Sequence, residues 1–259
     1  YHACAANREG HALCWGTGYS WKPRPDRPHD PFSPRRIDDI FGVAALVAGD
    51  GFTCALKSNR SVYCWGENMT VLGGVLKSPS LMAATPMDIQ DIVALSAGER
   101  HVCALKTDGT LLCWGSNFAG QLGDGTTEDR YKPVAVTGLS DAESVSAGAY
   151  HTCALRPGGR VVCWGFNANG QLGDGTTETR AIPADVSELA DATSVAAGAS
   201  HTCAVVSGGH LKCWGDSSYG QFASGSGTPV PCLGKGICGR TPVAVSEVTG
   251  VQSMASGSD

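Results

Sequence analysis

The segment HTCALRPGGRVVCWG, residues 151–165, occurs in five related copies along this chain of 259 residues. The first cysteines of successive copies are 50, 49, 50 and 50 residues apart, and a second cysteine follows each of them after ten positions. A period near fifty with short strands in each unit predicts a radial array of small sheets. The other copies are HACAANREGHALCWG from His2, FTCALKSNRSVYCWG from Phe52, HVCALKTDGTLLCWG from His101 and HTCAVVSGGHLKCWG from His201.

The repeat organises the chain as one all-β domain, residues 1–259. A single unit cannot bury its apolar face without its neighbours, so we expect one β-propeller of about five four-stranded blades. Within a unit, a stretch such as 194–197 precedes the two strands of the repeated segment, and a stretch such as 132–136 supplies the fourth strand. The approximate repeat bounds are 1–42, 43–92, 93–142, 143–192 and 193–259.

The two ends of the chain predict how the ring closes. Residues 253–257 match the strand that precedes each His-x-Cys, and the chain starts with the segment that should follow. We therefore expect the C-terminal strand to pair with the strand that begins at His2 and complete blade one, which removes the free sheet edges. Part of a seven-bladed ring, or an open array, is the alternative.

Composition excludes several functional classes. The net charge is −5 and only 17% of the residues are charged, so there is no basic field to hold nucleic acid. No apolar run approaches the roughly 20 residues that a membrane-spanning helix needs, so membrane insertion is not expected. The 35 glycines and 13 prolines fit a turn-rich β protein.

The cysteine spacing predicts one disulfide in each hairpin. A three-residue turn with glycine in its last place, as at Gly109, brings the two cysteines of a copy opposite each other. Arg60 takes this place in the second copy and must reach a positive φ or use another turn. Zinc knuckles need a shorter spacing, and thiol catalysis would favour one special cysteine. The predicted pairs are Cys4–Cys14, Cys54–Cys64, Cys103–Cys113, Cys153–Cys163, Cys203–Cys213 and, in an added loop, Cys232–Cys238.

Two long stretches carry a family resemblance. The units AGAYHTCALRPGGRVVCWGFNANGQLGDGTTETRAIPADV and AGERHVCALKTDGTLLCWGSNFAGQLGDGTTEDRYKPVAV resemble the regulator-of-chromosome-condensation repeat, and most closely its secreted, disulfide-containing versions. That family is usually seven-bladed and includes a nuclear exchange factor, a secreted inhibitor of β-lactamases and receptor ectodomains. Six local cysteine pairs favour an oxidising compartment, so we expect an extracellular, cell-surface or periplasmic protein and not a nuclear one.

Most repeated residues are expected to be structural. The histidines that open four copies fit contacts to the backbone of the neighbouring blade, with metal binding in a central channel as the alternative. The tryptophan after each second cysteine fits the core between blades. The sequence LGDGTT at 122–127 and at 172–177 fits an Asp-stabilised turn better than a calcium loop. With no separate set of acid, base and nucleophile, we expect no enzyme activity and no cofactor.

Function is expected where the repeat departs from itself, in the connections of copies five, one and two. Loops on a rigid scaffold commonly carry binding sites, and the copy-one loop joins aromatic residues to arginines and prolines. In a closed ring these three blades are neighbours. The predicted binding residues are Tyr19, Trp21, Arg24, Arg27, Met69, Leu72 and Lys235.

The first functional hypothesis is a secreted, non-enzymatic scaffold that recognises a protein or glycan partner. A structural subunit of a cell-surface assembly, which would self-associate, is the second. A lectin that stacks sugars on Trp21 and Tyr19 is the third. Asn59 and Asn68 also lie in glycosylation triplets, which matter only in a eukaryotic source.

Overall fold

The strands of the computed structural model form five antiparallel sheets, one for each repeat, in the described residues 2–16, 33–37, 40–67, 71, 84–220, 230–231, 237–245 and 248–257. We call these sheets blades one to five. Blade one contains β1 (His2–Ala6), β2 (Ala12–Gly16) and β3 (Arg35–Arg36). Blade two contains β4 (Val43–Gly49), β5 (Phe52–Lys57), β6 (Val62–Gly66) and β7 (Thr85–Met87).

The remaining three blades repeat this order. Blade three contains β8 (Ile92–Ala97), β9 (His101–Lys106), β10 (Leu111–Gly115) and β11 (Arg130–Ala135). Blade four contains β12 (Ser144–Ala147), β13 (His151–Arg156), β14 (Arg160–Gly165) and β15 (Arg180–Asp185). Blade five contains β16 (Ala192–Ala197), β17 (His201–Val206), β18 (His210–Asp216), β19 (Val230–Pro231) and β20 (Ile237–Val245), in the spatial order β16-β17-β18-β20-β19.

The strand number departs from four at both ends of the array. Among the described residues, blade one has three strands because no strand precedes β1 in its sheet. Blade five has five strands, because β19 adds to the outer side of β20. A strand of two residues shows no periodicity, so the sequence pattern did not predict it.

The predicted hairpins and their disulfides are confirmed in all five blades. Cys103 lies opposite Cys113, and the equivalent cysteines pair in the same register in the other hairpins. Each bonded pair has its Cα atoms 4.1 Å apart. The turn residues Gly10, Gly109, Gly159 and Gly209 all have positive φ, and Arg60 adopts φ 66° in their place. Cys238 is also disulfide-bonded, but its predicted partner Cys232 lies outside the described residues.

The core is divided among the interfaces between consecutive blades. Each tryptophan from blade two onward packs against the disulfide hairpin of the preceding blade, so Trp164 of blade four lies with Cys103 and Cys113 of blade three. The same arrangement joins blades one and two, two and three, and four and five. Strands β9 and β13 belong to blades three and four, which have a neighbouring blade on each side. Both strands are buried at all positions but the last, so both of their faces are covered. Four of the five repeated tryptophans therefore form the core between blades, as predicted, whereas Trp15 of blade one is only half-buried.

Blade one has a free face on the side away from blade two, and blade five has one on the side away from blade four. These two outer faces do not share a core in the part of the chain that the structure describes. Residues 251–257 form no strand there, and the predicted pairing of 253–257 with β1 is not found. Met254 packs instead against Cys203, Cys213 and Val245 of blade five. The structure is a five-bladed propeller array, and closure by strand pairing stays a prediction. Among the described residues, no helix has the length and hydropathy needed to cross a membrane.

Candidate interaction face

The seven predicted binding residues all lie outside the described residues: Tyr19, Trp21, Arg24, Arg27, Met69, Leu72 and Lys235. The strands that lead into their segments are described. Gly16, Gly66 and Gly215 lie at or next to the ends of these strands, at equivalent register positions opposite His2, Phe52 and His201. We call this end of the blades the loop face. Blades one and two are neighbours, as expected, whereas no shared core places blade five beside blade one in the described residues.

The regular loops of copies three and four are held together by their own polar side chains. Asn117 is fully buried, accepts a hydrogen bond from the Leu122 amide at 2.9 Å and donates to Asp124 at 3.2 Å. Arg130 donates to the other carboxylate oxygen of Asp124 at 2.7 Å, and Thr126 donates at 2.7 Å. The Asp124 carboxylate is therefore occupied within the loop. Asp174 has the same partners one repeat later, which supports the Asp-stabilised turn.

Electrostatics agrees with this structural role. Burial opposes ionisation of Asp124, but the hydroxyl of Thr126 and the guanidinium of Arg130 outweigh it and hold its pKa below the usual value. An ionised carboxylate that already has these donors has little capacity left for a cation. No cluster of three or more metal-ligating side chains occurs in the described part of the chain.

The recurring histidines form hydrogen bonds to the next blade, as expected, and their side-chain partner there is a threonine hydroxyl. His101 Nε2 lies 2.9 Å from Thr152 Oγ1, and His151 Nε2 lies 2.9 Å from Thr202 Oγ1. His2 makes the same contact to the next blade. Phe52, which replaces histidine in blade two, is fully buried by packing alone. At His101 and His151 a threonine hydroxyl therefore takes the role expected of a backbone group, whereas His2 also hydrogen-bonds the backbone of Phe52 in the next blade.

The direction of these bonds fixes the histidine tautomer. Thr152 donates its single hydroxyl proton to the Gln121 carbonyl at 2.9 Å, so it must accept a proton from His101 Nε2. His101 Nδ1 is then a bare acceptor, and it has no hydrogen-bond partner among the described residues. Burial lowers the pKa of His101 to about 4 and that of His151 to about 3. Both rings are neutral at physiological pH.

The loop face of blades two to four carries a connected surface cluster, which we call the Tyr150 cluster: Asp50, Glu99, Arg100, Phe118 and Tyr150. Arg100 donates to Asp50 at 3.1 Å, and Tyr150 donates its hydroxyl to Glu99 at 2.6 Å. The hydrogen bond to Glu99 raises the pKa of Tyr150 to about 12. Phe118 packs edge-on against Tyr150 at 5.1 Å and remains 58% exposed. The cluster thus spans three blades.

Sequence reasoning missed this cluster because it sits inside the repeated motif. The two residues between Ala-Gly and the histidine position vary from copy to copy: Asp50-Gly51, Glu99-Arg100, Ala149-Tyr150 and Ala199-Ser200. Variation at two positions within a constant frame was the available signal. We had looked for irregularity only in the long connections.

Solved structures with similar folds place the array among known propellers. Yeast RCC1 (Prp20), in a structure with bound Kap60, matches at 24% identity with a TM-score of 0.82. Human WBSCR16 matches at 20% identity with a TM-score of 0.78. The ectodomain of the Physcomitrella patens receptor kinase CR4 matches at 22% identity with a TM-score of 0.55. At these identities the likeness concerns the fold alone.

The alignments cover nearly all of this chain but only part of each solved structure. The alignments cover 99%, 100% and 89% of this chain, but 64%, 68% and 54% of the respective structures. The chain thus spans about 64% of the length of yeast RCC1. No curated protein matches the sequence. The RCC1-like domain matches over residues 1–259, and the chain belongs to the RCC1-like domain family.

Proposed function

We propose that this chain is a non-enzymatic scaffold that binds another protein through its loop face, in an oxidising compartment outside the cytoplasm. The single observation that carries the proposal is the Tyr150 cluster, an exposed aromatic and charged surface that is continuous across three blades. Exposed aromatic residues and arginine on a rigid support are typical of interface hot spots. Tyr219 of blade five, also at the loop face, is 85% exposed.

The fold and the disulfides support the two parts of this proposal. The family forms propellers, and yeast RCC1 is seen bound to another protein, Kap60. Five intra-hairpin disulfides fit an oxidising environment, and a propeller of similar fold occurs in a receptor kinase ectodomain. The irregular segments that contain Trp21 and Met69 would extend the loop face beside blade two. Trp21 is proposed as the central aromatic anchor.

The experiment begins with a native pull-down of the oxidised protein from extracellular fluid, followed by binding measurements with the purified partner. We expect Trp21→Ala and Phe118→Ala each to weaken binding by about 2 kcal/mol or more. The matched control is Phe41→Ala. Phe41 is 52% exposed and packs on His11, next to the turn of the β1–β2 hairpin and therefore away from the loop face. Normal binding by both loop-face variants would refute the proposed face. Capture of glycans on an array in place of a protein would favour a lectin.

A further inference from the structure

The turn of the β5–β6 hairpin carries a triplet that the hairpin turns of the other copies lack. Asn59, Arg60 and Ser61 form the Asn-x-Ser pattern of N-glycosylation acceptors. In the other four copies, the residue at the position of Asn59 is Glu9, Asp108, Gly158 or Gly208. The triplet is therefore a feature of this one turn and not a by-product of the repeat.

The backbone of this turn is held from two sides. The Ser58 amide donates to the Gly42 carbonyl at 2.7 Å, and the Arg60 carbonyl accepts from the Ile92 amide of blade three at 3.3 Å. Arg60 has a φ of 66°, in the left-handed region that the other copies reach with glycine. The changed sequence therefore keeps the turn geometry of the repeat, and Asn59 is presented from a rigid support.

The side-chain amide of Asn59 is bonded through its oxygen and not through its nitrogen. Ser61 donates to Asn59 Oδ1 from its backbone amide at 3.2 Å and from its hydroxyl at 2.6 Å. A backbone N–H only donates, so the atom that it faces is the amide oxygen. The Asn59 side chain is exposed, and its Nδ2 has no hydrogen-bond partner among the described residues. The nitrogen that would carry a sugar is therefore accessible.

The equivalent turn of blade three shows what an asparagine changes at this position. Asp108 Oδ1 accepts from the Thr110 amide at 3.0 Å, as Asn59 does from Ser61, so the turn itself does not require an amide side chain. Asp108 also forms an ion pair with Lys106 at 3.1 Å. Asparagine cannot form this ion pair, but it brings a nitrogen that a transferase can modify.

The hairpin turn lies at the end of blade two that is opposite the loop face. The register of β5 and β6 runs from Phe52 opposite Gly66, at the loop face, to Leu56 opposite Val62, beside the turn. These four residue steps at about 3.3 Å each separate the two ends by about 13 Å. A glycan on Asn59 would therefore extend from the turn end of the blade and leave the Tyr150 cluster uncovered.

We propose that Asn59 is an N-glycosylation site, modified in the lumen of a eukaryotic secretory compartment. The donor is an oligosaccharide on a lipid diphosphate. A bond forms between Asn59 Nδ2 and the anomeric carbon of the first sugar, the bond from that carbon to the diphosphate breaks, and the leaving lipid diphosphate takes up the proton that Nδ2 loses. This compartment is oxidising, as the hairpin disulfides require. The site rests on the compartment of the proposed function but not on its binding face.

The test is secretion of the full chain from a eukaryotic cell line, with Asn68→Gln present throughout to remove the second triplet. We expect peptide mapping to find a glycan on Asn59, and peptide N-glycosidase to remove it from the native protein without a change in melting temperature. Asn59→Gln and Ser61→Ala should abolish the glycan, because each removes one member of the triplet. Ser61→Thr keeps the hydroxyl and should retain the glycan.

A matched control places the same triplet in a second turn of this geometry. Asp108→Asn completes an acceptor triplet with Gly109 and Thr110 in blade three, so we expect this variant to carry one more glycan than the parent. An unmodified Asn59 would overturn the proposal, and a glycan in the Asp108→Asn turn alone would locate the fault in the blade-two turn. Because none of these measurements uses a binding partner, failure of the proposed binding face would leave their outcome unchanged.

Discussion

At the scale of single residues, the histidine position shows that the fold requires a matched pair and not a particular side chain. Phe52 with Val102 and His101 with Thr152 fill equivalent places, and all four are fully buried. The polar pair, however, adds a dependence on pH. A neutral ring is compatible with burial, while a charged one would lose its hydration without gaining an anionic partner.

The pH dependence of stability should follow from these rings. The pKa of His101 is about 4 in the folded protein, below the ordinary value of 6.5, so the unfolded chain takes up protons first as the pH falls. Each such histidine should lower the free energy of unfolding by about 1.4 kcal/mol for each pH unit below 6.5, until its folded pKa is reached. Denaturant titrations between pH 7 and pH 5 measure this slope.

A matched double variant isolates one of the histidines. His101→Phe with Thr152→Val copies the natural apolar pair, so it should fold and show a shallower slope than the parent. The aspartates whose pKa is lowered, such as Asp124, affect stability only at lower pH, because their ordinary pKa is already 3.8. An unchanged slope between pH 7 and pH 5 would mean that other groups control acid stability.

The sequence contained the information needed to find these pairs. Phenylalanine replaces histidine in one of the five copies, at Phe52, and valine replaces threonine one repeat later, at Val102. Because the partner lies about 51 residues away, the relation is invisible within a single repeat. We predicted correctly that the rings contact the neighbouring blade, but the threonine partner became evident only from the packing of two blades.

At the scale of the element, the disulfide hairpin is the unit that the sequence predicted best. Turn length fixes the register of a hairpin, and the register fixes which residues face each other. The positive φ of Arg60 follows from the same reasoning. The outer strands were harder to predict, because long connections separate them from the hairpins and a short strand such as β7 has no clear alternation.

Removing disulfides from different blades should separate chain entropy from packing. The pairs Cys103–Cys113 and Cys4–Cys14 both close loops with a sequence separation of 10, so their entropic contributions are equal, at about 2–3 kcal/mol. Both central cysteines are fully buried, whereas Cys4 is half-buried. We therefore expect the double alanine variant in blade three to lose more stability than that in blade one, as measured by urea unfolding under oxidising conditions. Equal losses would mean that blade position does not matter.

At the scale of the whole molecule, the sequence predicted the number of repeats but not how the array ends. The period counts the blades, while closure depends on whether two particular faces fit. The packing between blades leaves no room for a side chain at Gly98, which would collide with the Gly148 carbonyl and the His101 ring. Closure therefore depends on whether the end faces of blades one and five fit each other as closely as the internal interfaces do.

The segment 251–257 should stabilise the blade-five end whether or not the array closes. Met254 packs on Cys203, Cys213 and Val245, and its removal would expose this apolar face. We expect deletion of residues 250–259 to lower the melting temperature and to promote aggregation, as followed by thermal unfolding and light scattering. Deletion of Ser258 and Asp259 alone is the control and should leave both properties unchanged. If the longer deletion melts like the parent, the packing of Met254 contributes nothing, and the stability of blade five comes from its contact with blade four.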